Sequence, residues 1–396
     1  MKALNDNAHP LESLLQQHCP NGVEFKELGE LWEKAPKSKM GANQAKNLSK
    51  NNGNICFTSG ETHYFIDDYL VDGEFLFLND GGTADIKYNS GKAYYTDHIF
   101  AFTSQKICVK FLYYFLKDKQ EAINKTCFQG TGLKNLQKNK IEKFPIPLPP
   151  LEIQQKIVEI LDAFTELEAE LEAELEARLK QYHYYRNKLL SHDELENRTA
   201  KSRNDSDPTP LVPYVSLGEV CEKVFAGGDL PKEYSKDKKP SGEFLYPIYS
   251  NGSDENSLYG FSKTYRIDAE AVTISARGTI GFHTTREAKF TPIVRLITLI
   301  PNLNKITNRF LNYALYTTHI EKYGTSAGIP QLTIPMLEKI TIPLPPLSVQ
   351  EEIVELLDKF DTLANDLTSG IPAEIEARKK QYEHYRERLL SFIAKD

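Results

Sequence analysis

The sequence predicts an α+β chain in which two globular domains alternate with two long helices, laid out as a tandem repeat. Three observations predict it. One block of residues occurs twice, each copy carries an apolar stripe at helical spacing, and the stretches between the copies mix short β-rich runs with turns. Self-similarity at a fixed offset marks a chain built from duplicated units.

The repeat is explicit. The run PLPPL at 147–151 recurs at 343–347, a shift of 196 residues. Gln154, Ile157, Val158, Glu159, Leu161, Asp162 and Phe164 keep that shift against Gln350, Ile353, Val354, Glu355, Leu357, Asp358 and Phe360. A second block, from Glu176, Ala177 and Arg178 through Tyr182, Tyr185 and Arg186 to Ser191, recurs 200 residues on, from Glu376 to Ser391. The second copy thus holds four extra residues between its blocks. Upstream the match thins: Gly132, Leu136, Glu142 and Lys143 align with Gly328, Leu332, Glu338 and Lys339, and VEFKELGE at 23–30 resembles VPYVSLGE at 212–219.

Both shared segments read as helices. Pro149 and Pro150 cannot continue a helix and suit its stiff start. Beyond them Ile153, Ile157, Ile160, Leu161, Phe164, Leu167, Leu171, Leu175 and Leu179 recur at threes and fours, a single apolar stripe. The run ELEAELEAELEA at 166–177 holds strong helix formers and neither Gly nor Pro. A helix over 152–190 would have 39 residues and span about 58 Å. It cannot bury its stripe alone. The second copy offers Ile353, Leu356, Leu357, Phe360, Leu363, Leu367 and Ile375, so the two copies are expected to pair, with a break at Ser369, Gly370, Ile371 and Pro372. Ile157, Leu161, Phe164, Leu171, Ile353, Leu357 and Phe360, with the repeated Tyr182 and Tyr382, are the candidate contacts.

The expected order is an N-terminal segment (1–21), a first globular domain (22–146), a central helical region (147–195), a polar linker (196–211), a second globular domain (212–342) and a C-terminal helical region (343–396). Strand-like runs lie at 74–78, 271–275 and 293–297, and helical runs at 108–115 and 308–316.

Net charge is −7, but it is unevenly spread. The helical segments 151–199 and 347–396 carry −6 and −4, while 1–150 and 200–346 carry +1 and +2. The globular domains can therefore meet a polyanion while the helices face something else. No apolar run approaches the ~18 residues of a membrane span, and the first 20 residues lack the apolar core of a secretory signal. The five cysteines fall in no CxxC pair or metal-finger spacing, which fits reduced thiols and a cytoplasmic setting.

With these motifs in view the chain resembles the specificity (S) subunits of type I restriction–modification enzymes, the HsdS family, over essentially its full length. The resemblance rests on the two PLPPLxxQ starts, each followed by Ile-Val-Glu and Leu-Asp-x-Phe, and on the tail from Glu376. It also rests on CPNGV at 19–23, YSNG at 249–252 and RGTIG at 277–281, in this order around a tandem repeat. It implies two target-recognition domains held apart by a pair of long antiparallel coiled-coil helices, with pseudo-two-fold symmetry. Each domain would read one half of a bipartite double-stranded DNA site. Two DNA methyltransferase subunits and two nuclease–translocase subunits would join as partners. S-adenosylmethionine, ATP and Mg are then expected in those partners, with no cofactor or metal in this chain.

Candidate DNA contacts follow. Lys34, Lys37, Lys39, Lys46 and Lys50 lie in a stretch without an acidic residue between Glu33 and Glu61, interleaved with Asn43, Gln44 and Asn47. Lysines attract phosphate and Asn or Gln can bond adenine bidentately; the same composition also fits a solvated polar loop. Gln129, Thr131, Lys134 and Asn135 stand before the first helix, and Thr325, Ser326 and Gln331 before the second, around glycines that let backbone approach phosphate. Arg277 and Thr279 sit in a tight turn, and arginine is the usual reader of guanine. The first domain has DGGT at 80–83 in that place and no arginine. Tyr249 and Asn251 fit a turn as well as a DNA-facing surface, and Lys232, Lys236, Lys238 and Lys239 fit a solvated loop.

Catalytic signatures are missing from the sequence: no methyltransferase DPPY-like motif, no GxxxxGK[ST] phosphate loop and no HExxH. The expected role is that of a non-catalytic binding subunit. Two other readings remain at this level, a coiled-coil scaffold unrelated to DNA and a DNA-modifying enzyme built from dispersed acids.

Overall fold

The computed structural model describes Cys19 and residues 22–202, 212–324, 331–365 and 369–392. The first domain runs β1 (Glu24–Glu27), α1 (Leu28–Leu31), β2 (Glu33–Lys34), α2 (Ala42–Asn47), β3 (Asn54–Phe57), β4 (His63–Ile66), β5 (Glu74–Asn79), β6 (Ile86–Ser90), β7 (Ala93–Tyr95), β8 (Ile99–Thr103), α3 (Val109–Asp118), α4 (Gln120–Cys127), β9 (Phe128–Gln129), β10 (Asn135–Leu136), α5 (Lys138–Glu142) and β11 (Pro145–Leu148). Helices α6 (Leu151–Leu189) and α7 (His192–Ser202) follow. The second domain runs β12 (Tyr214–Ser216), α8 (Leu217–Val220), β13 (Cys221–Ala226), β14 (Tyr234–Ser235), β15 (Tyr246–Tyr249), β16 (Leu258–Ser262), β17 (Ala271–Ile274), β18 (His283–Arg286), β19 (Thr291–Pro292), β20 (Ile297–Pro301), α9 (Asn308–Leu315), α10 (Ile334–Leu337) and β21 (Thr341–Pro343). Helices α11 (Leu347–Asn365) and α12 (Ile371–Leu389) close the chain.

The two domains share one plan although their sequences differ. A four-stranded antiparallel sheet has the order β2-β8-β5-β6 in the first and β13-β20-β17-β18 in the second. A second sheet, β4-β3-β7 or β14-β16-β15-β19, holds one parallel pair in each domain, β3 with β7 and β15 with β19. Each domain is closed by antiparallel pairing of its first and last strands, Glu24 opposite Leu148 and Tyr214 opposite Pro343. The central strands are apolar because both faces are covered. Leu76, Phe77 and Leu78 of β5 and all four residues of β17 are buried. On one face lies an amphipathic helix, α3 through Phe111, Leu112 and Phe115, or α9 through Phe310, Leu311 and Ala314.

The strand expected at 293–297 forms only at its end. Val294 and Arg295 have φ of 51° and 60°, left-handed values that an L-residue cannot hold inside a strand, so 293–296 is a turn and β20 starts at Ile297.

The repeated polar residues fix each domain to its helix. Buried Gln154 accepts the Cys108 N–H (2.8 Å) and donates to the Pro149 carbonyl (2.8 Å). Gln350 repeats this with the Thr307 N–H (2.9 Å) and with the carbonyls of Lys305 (2.9 Å) and Pro345 (2.8 Å). Each thereby satisfies a donor at the start of α3 or α9 that the helix cannot. Asp162 meets Lys110 (2.7 Å) and the Tyr114 hydroxyl (2.6 Å), and Asp358 meets Arg309 (2.8 Å) and the Tyr313 hydroxyl (2.7 Å).

The chain forms two compact units, one from the chain up to Glu172 with the chain from Glu374 onward, the other from Ala173 to Ala373. Within the first unit, α6 and α12 run antiparallel. Phe164 stacks on Tyr385 (5.4 Å) and contacts Tyr382 (6.1 Å), Lys379 bridges Glu168 (3.3 Å) and Glu172 (3.2 Å), and Leu389 and Leu390 join Ile153, Ile157 and Leu161 in the core. Within the second unit, Phe360 stacks on Tyr185 (5.2 Å), and Leu189, Leu190 and Leu195 pack with Val349, Ile353 and Leu357.

The pairing expected from the stripes is therefore corrected in detail. The front of one copy meets the back of the other, where Tyr, Arg and paired leucines supply the surface, instead of stripe meeting stripe. Tyr182 is buried, its hydroxyl pKa pushed up by that burial, while Leu171 is half-buried and Leu363 is exposed. Leu367 lies outside the described residues. Ser369 and Gly370 break the helix as expected, whereas Ile371 and Pro372, expected within the break, already begin α12. The expected linker starts as helix, since α7 continues to Ser202 with Leu195 and Thr199 buried. All five cysteines are free; Cys56 and Cys127 are buried and the others half-buried. Burial pushes the Cys56 thiol up to about 11 and the Cys221 thiol to about 12.

Candidate nucleic-acid interface

In the first domain the lysine-rich stretch is not a loop throughout. Residues 42–47 form the one-and-a-half-turn α2, held by Ala45 in a small core with Met40, Cys56 and Ile66. Asn43, Lys46 and Asn47, at i, i+3 and i+4, share its exposed side. Lys37 and Lys39 are also exposed. Lys37, Lys39 and Lys46 make no ion pair among the described residues, whereas Lys50 is paired with Asp67, and Lys34 with Glu142 (2.8 Å). The stretch thus divides into three cations open to phosphate and two engaged in surface pairs.

Gln129 and Asn135 face each other across the β9–β10 hairpin. Its tip carries Thr131 and Lys134, both exposed, and Leu133, which is 73% exposed. Gly130 is required there, because a Cβ would come within 2.4 Å of the Leu133 carbonyl oxygen. The hairpin docks on the DGGT loop: the Gly82 N–H donates to the Lys134 carbonyl (2.7 Å) and the Leu136 N–H to the Asp80 carbonyl (2.9 Å). Two segments distant in sequence, one around Asp80 and Gly82 and the other around Lys134 and Leu136, thus form one surface.

The second domain builds the same junction with other side chains. The loop between β17 and β18 turns at Gly278, and the backbones of Arg277 and Gln331 pair in an isolated antiparallel bridge. The Leu332 N–H donates to the Ala276 carbonyl (3.1 Å). Arg277 and Thr279 are exposed. Beside them opens a cleft of about 780 Å³ whose walls include Gly227, Arg277, Arg295, Gln331 and Thr333. Thr325 and Ser326 lie outside the described residues.

The YSNG motif frames this cleft instead of facing it. The Asn251 side chain accepts the Ala276 N–H (2.8 Å) and donates to the Val294 carbonyl (2.6 Å), tying the Arg277 turn to the Arg295 turn. The Tyr249 ring is covered by the Arg286 guanidinium, 3.7 Å from its centroid, and Arg286 is itself bonded to Thr273 (3.1 Å) and Ser257 (2.8 Å). Both motif residues are committed to holding the domain together.

The family model for the type I restriction modification DNA specificity domain matches residues 20–181 and 212–377, once per repeat. The chain belongs to the type I specificity-subunit family. It is 36% identical over 345 residues to the Mycoplasma pneumoniae protein S.MpnORF89P, which is named as a type I specificity subunit, covering 83% of this chain and 96% of that one. It is 32% identical over 310 residues to the Escherichia coli EcoR124I/EcoR124II specificity subunit, covering 72% of each. The fold matches the crystal structure of the S subunit from M. genitalium with a TM-score of 0.63 and 20% identity over 99% of both chains.

The exposed candidate contacts of the two DNA specificity domains fall on three loci: α2, the β9–β10 hairpin with its docked loop, and the arginine cleft. Sequence reasoning missed two residues there. Arg295 was hidden inside an apparent strand, and Leu133 gives no local sign that it will stand bare. Among the described residues no cluster of His, Cys, Asp or Glu could hold a metal ion, and no helix is long and apolar enough to cross a membrane.

Proposed function

We propose that this specificity subunit reads a bipartite double-stranded DNA target, one half-site per recognition domain, and performs no catalysis itself. Two methyltransferase subunits would dock on the helical regions and two nuclease–translocase subunits would complete the complex; S-adenosylmethionine, ATP and Mg belong to those partners. A chain of similar fold (TM-score 0.53) comes from work on complex assembly and conformational transition of the type I R-M system.

The carrying observation is that two domains of one strand order present unlike side chains at equivalent loops, Asp80 with the hairpin in one and Arg277 in the other. Shared scaffolds with divergent loops suit two readers of two different sequences.

The uninterrupted α6 would set the number of unread base pairs between half-sites. Deleting Glu170, Leu171, Glu172 and Ala173 shortens it by about 6 Å and rotates one end by about 40°. Expressed with its methyltransferase, the deletion chain should methylate sites whose gap differs by roughly one or two base pairs. Full activity at an unchanged gap would overturn the ruler. Wild-type methylation without a two-part motif would overturn the bipartite reading.

A further inference from the structure

We infer that Arg277 and Arg295 are the guanine readers of the second recognition domain, the two side chains that put G·C pairs into its half-site. The inference deepens the proposed function and rests on it.

Four features converge on this cleft. First, both arginines line it, both are exposed, and neither makes an ion pair among the described residues. Arg286 and Arg309, in the same domain, are by contrast engaged, Arg286 over the Tyr249 ring and Arg309 in an ion pair with Asp358. Second, the backbones under both are fixed. Arg277 is set by the bridge to Gln331 and by Asn251 on the preceding N–H. Arg295 donates its N–H to the Gly227 carbonyl (3.0 Å), and Val294 donates to Gly228 (2.9 Å). Third, Val294 and Arg295 are left-handed, consecutively, and Val294 is 55% exposed. A β-branched residue in that conformation is an outlier, and here no burial offsets it. Strain of this kind gathers where a side chain must be aimed. Fourth, the close approach that makes room for the turn demands glycine: a Cβ on Gly227 would lie 2.7 Å from the Pro292 carbonyl carbon.

A fork of donors held on rigid backbone is what bidentate contact to guanine O6 and N7 requires. A phosphate contact would need only charge and could sit on a mobile side chain. Asn251 is a positioning residue in this scheme, since it joins the two turns and spends its own polar groups doing so.

The test maps methylated sites in cells carrying the full chain with its methyltransferase, wild type against Arg277→Ala, Arg295→Ala and the two Lys variants. The expected result is that each Ala variant stops discriminating at a G·C position of one half-site, by roughly 5- to 150-fold, with the other half-site and the gap unchanged. The Lys variants should relax the same position, because a point charge cannot replace the fork. Binding of the purified complex to duplexes carrying 7-deazaguanine there should weaken for wild type and not for the matching Ala variant. Retention of every G·C requirement by the Ala variants, or a wild-type motif unchanged by Lys, overturns the inference and leaves the bipartite reading intact. Methylation without any sequence motif overturns that reading instead.

Discussion

At one place in the fold the two recognition domains carry opposite chemistry. The loop after the central strand β5 offers Asp80, and the turn before β8 offers Asp97 and His98. In the second domain the loop after β17 offers Arg277, and the turn before β20 offers Val294 and Arg295. The bonds beneath these loops are alike. A loop backbone docks on the segment leading to the long helix in both, through Asp80 and Leu136 or through Ala276 and Leu332. The lesson is a division of labour: buried side chains and backbone bonds hold the frame, and the outward side chains, which contribute nothing to the frame, are free to differ.

The largest expected effect tests the frame. Gln350→Leu orphans the Thr307 N–H and two carbonyls, and Gln154→Leu orphans the Cys108 N–H and one carbonyl. At ~1–3 kcal/mol for a buried group left unsatisfied, the first should cost on the order of 3 kcal/mol and the second about 2. Denaturant unfolding of the full chain measures both, and near-wild-type stability of either would break the equivalence of the two mounts.

A smaller effect tests the cations of the first domain. Joint substitution of Lys37, Lys39 and Lys46 by Ala should weaken DNA binding of the complex at cognate and unrelated sequences alike. The slope of log K against log salt should fall in magnitude by up to about 3. A changed methylation motif with an unchanged slope would make these lysines base readers.

The smallest effect separates the domains by pH. Burial lowers the His283 pKa, against the opposing bond to Asn312, whereas Asp85 of the first domain is lowered because Lys87 and Lys117 outweigh its burial. The folded state resists protonating His283, so the unfolded state binds the extra proton as pH falls below ~6.5, and stability is lost from there downward. The Asp85 contribution is present above the ordinary carboxylate range and is lost only below ~4. Acidification from pH 7 to 5 should therefore weaken the second unit first. His283→Gln should remove that part of the pH profile; an unchanged profile would show that the histidine is not its source.

Much of the frame is legible in the sequence for a physical reason. Helix periodicity, proline stops and buried strands such as β5 and β17 are short-range patterns, so the order of domains and helices follows from local spacing. Gln154, Gln350, Asp162 and Asp358 repeat because each bonds a backbone or side chain of its own domain. The candidate contact loci were only partly legible. Arg277 sits beside a glycine whose turn is visible in sequence, but Arg295 lies in a run whose composition reads as strand. Tyr249 and Asn251 look like contacts until their partners, Arg286, Ala276 and Val294, are known.

By itself the sequence determined the duplication, the α+β class, the 39-residue helix and the break near Gly370, since all depend on neighbours within a few residues or on the match between copies. Tertiary structure decided which ends of the helices pair, that α2 forms inside a polar stretch, and that two left-handed residues interrupt an apparent strand. Those outcomes depend on residues brought together from distant parts of the chain: Tyr385 beneath Phe164, Ile66 beneath Ala45, and Gly227 and Asn251 around Arg295.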